Sequence, residues 1–125
     1  MYAKGYFIKS PVTVSYGKTV IVCTSGYPAD IRDASFVSVQ PCIKTSQRCS
    51  GDILLHFGAG IEGIDYSGGT YVSVKNTVAG SSRNVVPTVI NARSIGYLQL
   101  LSIENQAVSG YAEVEYVKWA KEWSD

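Results

Sequence analysis

The sequence predicts an all-β chain, a single domain over 1–125 folded as an antiparallel β-sandwich or jelly roll of about eight strands. Three observations carry this. Apolar and polar residues alternate with a period of two along much of the chain, and helical periodicity is almost absent. Turn residues punctuate the chain about every dozen positions. The composition, with nine Tyr, twelve Gly and abundant Ser, Thr and Val, suits pleated strands joined by tight turns. At this length a domain buries roughly two-thirds of its unfolded surface.

Taken in order, residues 2–8 alternate as a first strand, which Pro11 ends. Residues 12–24 supply two strand segments bent about Tyr16 and Gly17. A loop punctuated by Gly26 and Pro28 covers 25–34. Phe36, Val37 and Val39 make a short strand that Pro41 ends. A polar loop over 44–51 leads to an apolar strand over 53–57. Glycine-rich sequence fills 58–69, residues 70–75 are strand and 76–83 are loop. The strand over 85–90 contains Pro87, the mark of an edge or bulged strand.

The chain is organised around 94–119, two long strands expected to form a hairpin through a polar turn at Glu104, Asn105 and Gln106. In the first arm Ile95, Tyr97, Leu101 and Ile103 point one way and Leu98 and Leu100 the other. Both faces are apolar, as in a strand covered on both sides within a sandwich or at a subunit contact. The second arm alternates cleanly, with Ala112, Val114 and Tyr116 on one face and Tyr111, Glu113, Glu115 and Val117 on the other. Residues 117–123 have room for a turn of helix that places Trp119 and Trp123 on one face.

Composition narrows the function classes. The net charge of +1 argues against a dedicated nucleic-acid binder. Residues 1–50 lean basic and 104–125 lean acidic, a mild polarity that can act within or between subunits. No apolar run approaches the ~18 residues of a transmembrane helix, and the first ten residues lack the pattern of a cleaved signal peptide. The charged fraction is 17% against roughly 25% in soluble domains. A surface poor in charge and rich in Tyr, Ser and Gly is common where proteins meet other surfaces; β domains also favour these residues for packing alone.

Three cysteines are too few and too odd in number for a disulfide framework. Cys23 reads as a buried thiol, whereas Cys42 and Cys49 bracket a polar loop and can pair in an oxidising compartment. With one histidine in the chain, a metal site is not expected. Nor is a cofactor. Gly58, Gly60 and Gly63 spell G-x-G-x-x-G, but a turn and a strand follow where dinucleotide binding needs a helix and a later acid. His56 is the only available base for a Ser-His-acid arrangement and lacks a G-x-S-x-G partner. Glu62, Asp65 and Glu104 are the acids a glycosidase would draw on. No catalytic residue is assigned. The candidate ligand-binding residues are Tyr27, Asp30 and Arg32 from one loop and Asp65, Tyr66 and Tyr71 from another. Tyrosine rings offer flat apolar faces, while acids and arginine hydrogen-bond hydroxyls.

PVTVSYGKTVIV over 11–22, the charge-poor middle and GYAEVEYVKW over 110–119 together resemble the small β-sandwich tip or knob domains at the ends of bacteriophage tail fibres, spikes and needles. The resemblance implies a non-enzymatic viral or phage particle component at the virion or extracellular surface. It further implies a homo-oligomer, with a trimer favoured, that contacts a host-surface glycan or protein. Residues 95–103 would then supply subunit contacts and the loops receptor contacts. The alternatives are a free-standing carbohydrate-binding module or lectin and, third, a small glycoside hydrolase.

Overall fold

A computed structural model describes residues 2–8, 10–22, 28–45, 50–61, 69–79 and 88–120. Ten strands run through them: β1 (Tyr2–Tyr6), β2 (Val12–Val14), β3 (Lys18–Ile21), β4 (Ala29–Asp30), β5 (Ala34–Lys44), β6 (Ser50–Gly60), β7 (Val72–Ala79), β8 (Thr88–Asn91), β9 (Tyr97–Gln106) and β10 (Gly110–Ala120). The first sheet has the order β1-β10-β5-β8, with β2 also on β10. The second has the order β3-β9-β6-β7, with β4 also on β9. Every pairing is antiparallel.

β1 and β2 lie end to end along β10, and β3 and β4 lie end to end along β9. Treating each such pair as one interrupted strand leaves the eight strands and two sheets of a jelly roll. Pro11, which has no N–H for a ladder, stands in the break between β1 and β2. Gly17, at a φ of 76°, makes the turn that carries the chain from β2 in one sheet to β3 in the other.

The core lies between the sheets. Val37, Val39, Ile43, Ala112 and Val114 enter it from the first sheet, and Ile53, Leu55, Phe57, Val74, Val78, Leu98, Leu100 and Ile103 from the second. Phe7 meets Phe57 edge to face at 4.9 Å and lies 4.7 Å from Tyr116.

Several expectations are corrected. The two arms of 94–119 do not form a hairpin: β9 belongs to the second sheet and β10 to the first. Glu104, Asn105 and Gln106 remain in β9, and the chain turns through 107–109. Asn105 is fully buried there, its amide donating to Val108 O at 3.0 Å and its Oδ1 accepting from Ala107 N at 3.0 Å. The corner is thus a buried crossing between sheets.

The apolar residues on both faces of the first arm have a local cause. His56 pairs with Ser102 but Phe57 pairs with Leu100, so Leu101 is an extra residue on β9. A bulge of this kind reverses the inward and outward phase. Leu98 and Leu100 face inward before it and Ile103 after it, so the core accounts for residues that the sequence placed on two faces.

Pro41 does not end its strand, because β8 pairs only with Phe36 through Val39 and Pro41 sits where β5 has a single partner, β10. Residues 58–60 extend β6, and 76–79 extend β7 rather than forming loop. The C-terminal helical turn fails in its first part, since 117–120 continue β10. There Val117 pairs with Ser38, Lys118 with Val37 and Trp119 with Phe36, and the ladder outweighs the local i, i+4 pattern. Pro87 lies outside the described residues.

Candidate functional site

At one end of the sandwich two short segments come together, 29–35 leading into β5 and 91–97 leading into β9. Each begins with an Asx turn, in which an Asp or Asn side chain bonds the backbone two residues on. Asp30 Oδ1 accepts from Arg32 N at 3.1 Å, and Asn91 Oδ1 accepts from Arg93 N at 2.9 Å. The turns thereby set Arg32 and Arg93 at matching positions. Between them Gly96 accepts from Ile31 N and donates to Gly60 O, both at 2.8 Å. A Cβ at Gly96 would run into the Ile61 carbonyl, so the approach requires glycine.

The expected residues Asp30 and Arg32 are together. Arg32 Nε donates to Asp30 Oδ1 at 3.0 Å and Nη2 to Oδ2 at 2.6 Å, a bidentate pair. The Arg32 guanidinium also lies 5.1 Å from the centroid of the Tyr97 ring, in cation–π range. Its hydrogen bonds hold the Asp30 carboxyl at about 2, and Asp30 in turn raises the Arg32 pKa. Lys118 spans from β10, donating to Asp30 O at 3.0 Å and to Asp33 Oδ1 at 2.9 Å. Arg32, Asp33, Ala34, Ser35, Ala92, Arg93 and Ile95 line a concavity of about 400 Å³. The Arg93 guanidinium lies 5.1 Å from the centroid of the Phe36 ring.

Of the other expected ligand residues, Tyr27, Asp65 and Tyr66 lie outside the described residues. Tyr71 is exposed just before β7, its N–H bonded to Phe57 O at 2.7 Å, across β6 from β9 and β4. No ring contact, ion pair or hydrogen bond among the described residues joins it to Asp30 or Arg32. Sequence reasoning passed over Arg93, Asp33, Tyr97 and Lys118. The signal for Arg93 was present: N-A-R at 91–93 repeats the D-I-R spacing of 30–32.

A second constellation lies on the outer face of the second sheet. His56 Nδ1 is 2.6 Å from Ser73 Oγ, and Nε2 is 3.4 Å from Glu104 Oε1. The order Ser-His-Glu is that of a hydrolase triad. The three residues come from neighbouring strands β7, β6 and β9, where cross-strand side chains meet in any case. Of the glycosidase acids, Glu62 and Asp65 lie outside the described residues. So does Gly63, while Gly58 and Gly60 belong to β6, with Gly58 under the Leu101 side chain.

Cys42 is buried, and Cys23 and Cys49 lie outside the described residues, as does any bridge to Cys49. Among the described residues no cluster of His, Cys, Asp or Glu is placed to hold a metal, and no helix is long and apolar enough to cross a membrane.

The outer face of the first sheet carries most of the exposed large apolar side chains. Tyr6, Phe36, Val89, Tyr111 and Trp119 all stand on it. Phe36 and Trp119 are cross-strand partners, and Trp119 Nε1 donates to Ser38 Oγ at 2.8 Å. Two ion pairs on this face lie within the sheet, Lys4 with Glu115 at 3.8 Å and Lys44 with Glu113 at 3.3 Å.

No protein-family model matches the chain, and no curated protein matches it. Solved structures are similar in fold. A chain of the infectious bursal disease virus Gx strain is 13% identical, with a TM-score of 0.50 over 99% of this chain and 34% of that one. The VP2 subviral particle of infectious bursal disease virus gives 14% identity and a TM-score of 0.47, over 96% of this chain and 33% of that one. A Bacillus endospore appendage from a family of disulfide-linked pili gives 14% and 0.46, over 98% of this chain and 88% of that one. The chain therefore spans about a third of the length of the viral chains it resembles. At 13% identity the likeness to the Gx strain chain is one of fold alone and does not single out phage tail tips.

Proposed function

We propose that this chain is a non-enzymatic, self-assembling structural subunit of a particle or extracellular appendage, with a loop end that recognises a host-surface glycan or protein. The observation that carries the proposal is the outer face of the first sheet. Monomeric soluble proteins seldom expose a broad apolar patch, and Tyr, Trp and Phe are the residues enriched where subunits meet. Tyr6, Phe36, Val89, Tyr111 and Trp119 share that face, and the lysines and glutamates beside Tyr6 and Tyr111 are matched within the sheet, so a second copy can cover that part of it without stranding a charge. A jelly roll is a common scaffold for capsid and lectin domains, which supports the reading by analogy of fold.

The assembly expected is a homotrimer at a virion or extracellular surface. Light scattering coupled to size exclusion over a wide concentration range tests it. A stable trimer is the expected mass, and Trp119→Lys should lower it while leaving the far-ultraviolet circular dichroism unchanged. A monomer at every concentration would overturn the assembly reading. A free-standing lectin, the alternative, keeps the Arg32 end as its site and dispenses with the assembly face.

A further inference from the structure

We infer that the concavity between Arg32 and Arg93 is an anion site that takes the carboxylate of an acidic sugar. The inference rests on the reading of this end as the recognition end and names the ligand class. Its volume of about 400 Å³ lies within the roughly 300–1,000 Å³ of small-ligand pockets. Arg32 and Arg93 both line it, each with its backbone set by its own Asx turn.

The two arginines have different roles. Arg32 is committed to Asp30 through two of its N–H groups and braced on Tyr97. It supplies a fixed wall. Arg93 lies over Phe36 and has no carboxylate partner among the described residues. A guanidinium placed over a ring spends none of its N–H groups as hydrogen bonds to a carboxylate, so they stay available to bind one. Arg93 is therefore the primary ligand.

Asp33 decides the rest of the ligand. Asp33 Oδ1 is taken by Lys118, and the exposed carboxylate keeps a second oxygen that can accept. Sugar hydroxyls are donors that such an acceptor can use. A run of acidic residues in a peptide would meet repulsion from Asp33 and Asp30. An anionic ring with neighbouring hydroxyls fits this mixture of charges better than an acidic peptide.

The test is titration of the full chain with D-glucuronate, D-glucose and a tetraglutamate peptide, followed by nuclear magnetic resonance. Glucose lacks the carboxylate, and the peptide lacks the hydroxyls. Glucuronate should perturb residues 32–35 and 92–95, bind about tenfold or more tightly than glucose, and weaken as salt is raised. Arg93→Gln should remove that advantage without altering the mass in solution. Equal binding of glucuronate and glucose, retention of the advantage in Arg93→Gln, or preference for tetraglutamate would each overturn the inference. A monomer that still binds glucuronate through Arg93 would sink the assembly reading and leave this one standing. Perturbation by glucose alone, away from Arg93, would sink this one and leave glycan recognition standing.

Discussion

Asp30 keeps its charge in acid because Arg32 bonds both of its carboxylate oxygens, which lowers its pKa from 3.8 to about 2. A carboxyl depressed on folding adds stability above its unfolded pKa, and that contribution disappears as pH falls through the folded value. Asp30→Asn should therefore be less stable than the parent at pH 7, with the gap closing between about pH 4 and pH 2. Denaturant unfolding at a series of pH values would show it, and a gap that persists below pH 2 would contradict the pairing. Both partners are solvent-exposed, so the effect should be small and shrink in salt. At this scale Asp30 and Arg32 were legible because they are two residues apart in a turn. Arg93 carries the same local spacing in N-A-R, but its nearness to Arg32 was not legible, because that comes from two crossings that meet in space.

The elements owe much to three Asx turns, at Asp30, Asn91 and Asn105. Each stands where the chain leaves one sheet for the other. Asn105 is the one buried in the core, and its side chain satisfies two backbone groups at the corner. Asn105→Ala would leave a buried N–H and a buried C=O without those partners, at about 1–3 kcal/mol for each unsatisfied group. Equilibrium unfolding should show a loss of that order, and a change below about 0.5 kcal/mol would mean that the corner does not depend on the side chain. In the sequence this asparagine looked like the tip of a polar hairpin turn. Polarity marks a turn equally well whether it is wet or buried. The bulge at Leu101 was hidden for a related reason: one extra residue shifts the phase of everything beyond it, and the same letters then read as two apolar faces.

For the whole molecule, the apolar outer face has a thermodynamic consequence. If copies associate through it, folding and association are linked, and the melting temperature rises with protein concentration. Trp119→Lys should flatten that dependence. A melting temperature unchanged on dilution of the parent protein would argue that the face stays bare. The Ser73, His56 and Glu104 array needs no catalytic explanation at this scale, since the ladder that unites β7, β6 and β9 brings those three side chains together.

The sequence by itself determined that the chain is all-β, where β1, β2, β3 and β10 begin, and how the residues of β10 divide between its two faces, because alternation of period two is a local property of a pleated chain. It also put Asp30 and Arg32 in one loop, among six candidate ligand residues. Only the tertiary structure decided which sheet each strand joins, that β9 and β10 part at a buried corner, and that Arg32 and Arg93 share one concavity. Alternation specifies a face and never a partner. Partners are selected by the packing of many distant side chains at once, through contacts such as Phe7 on Phe57, which no local pattern encodes.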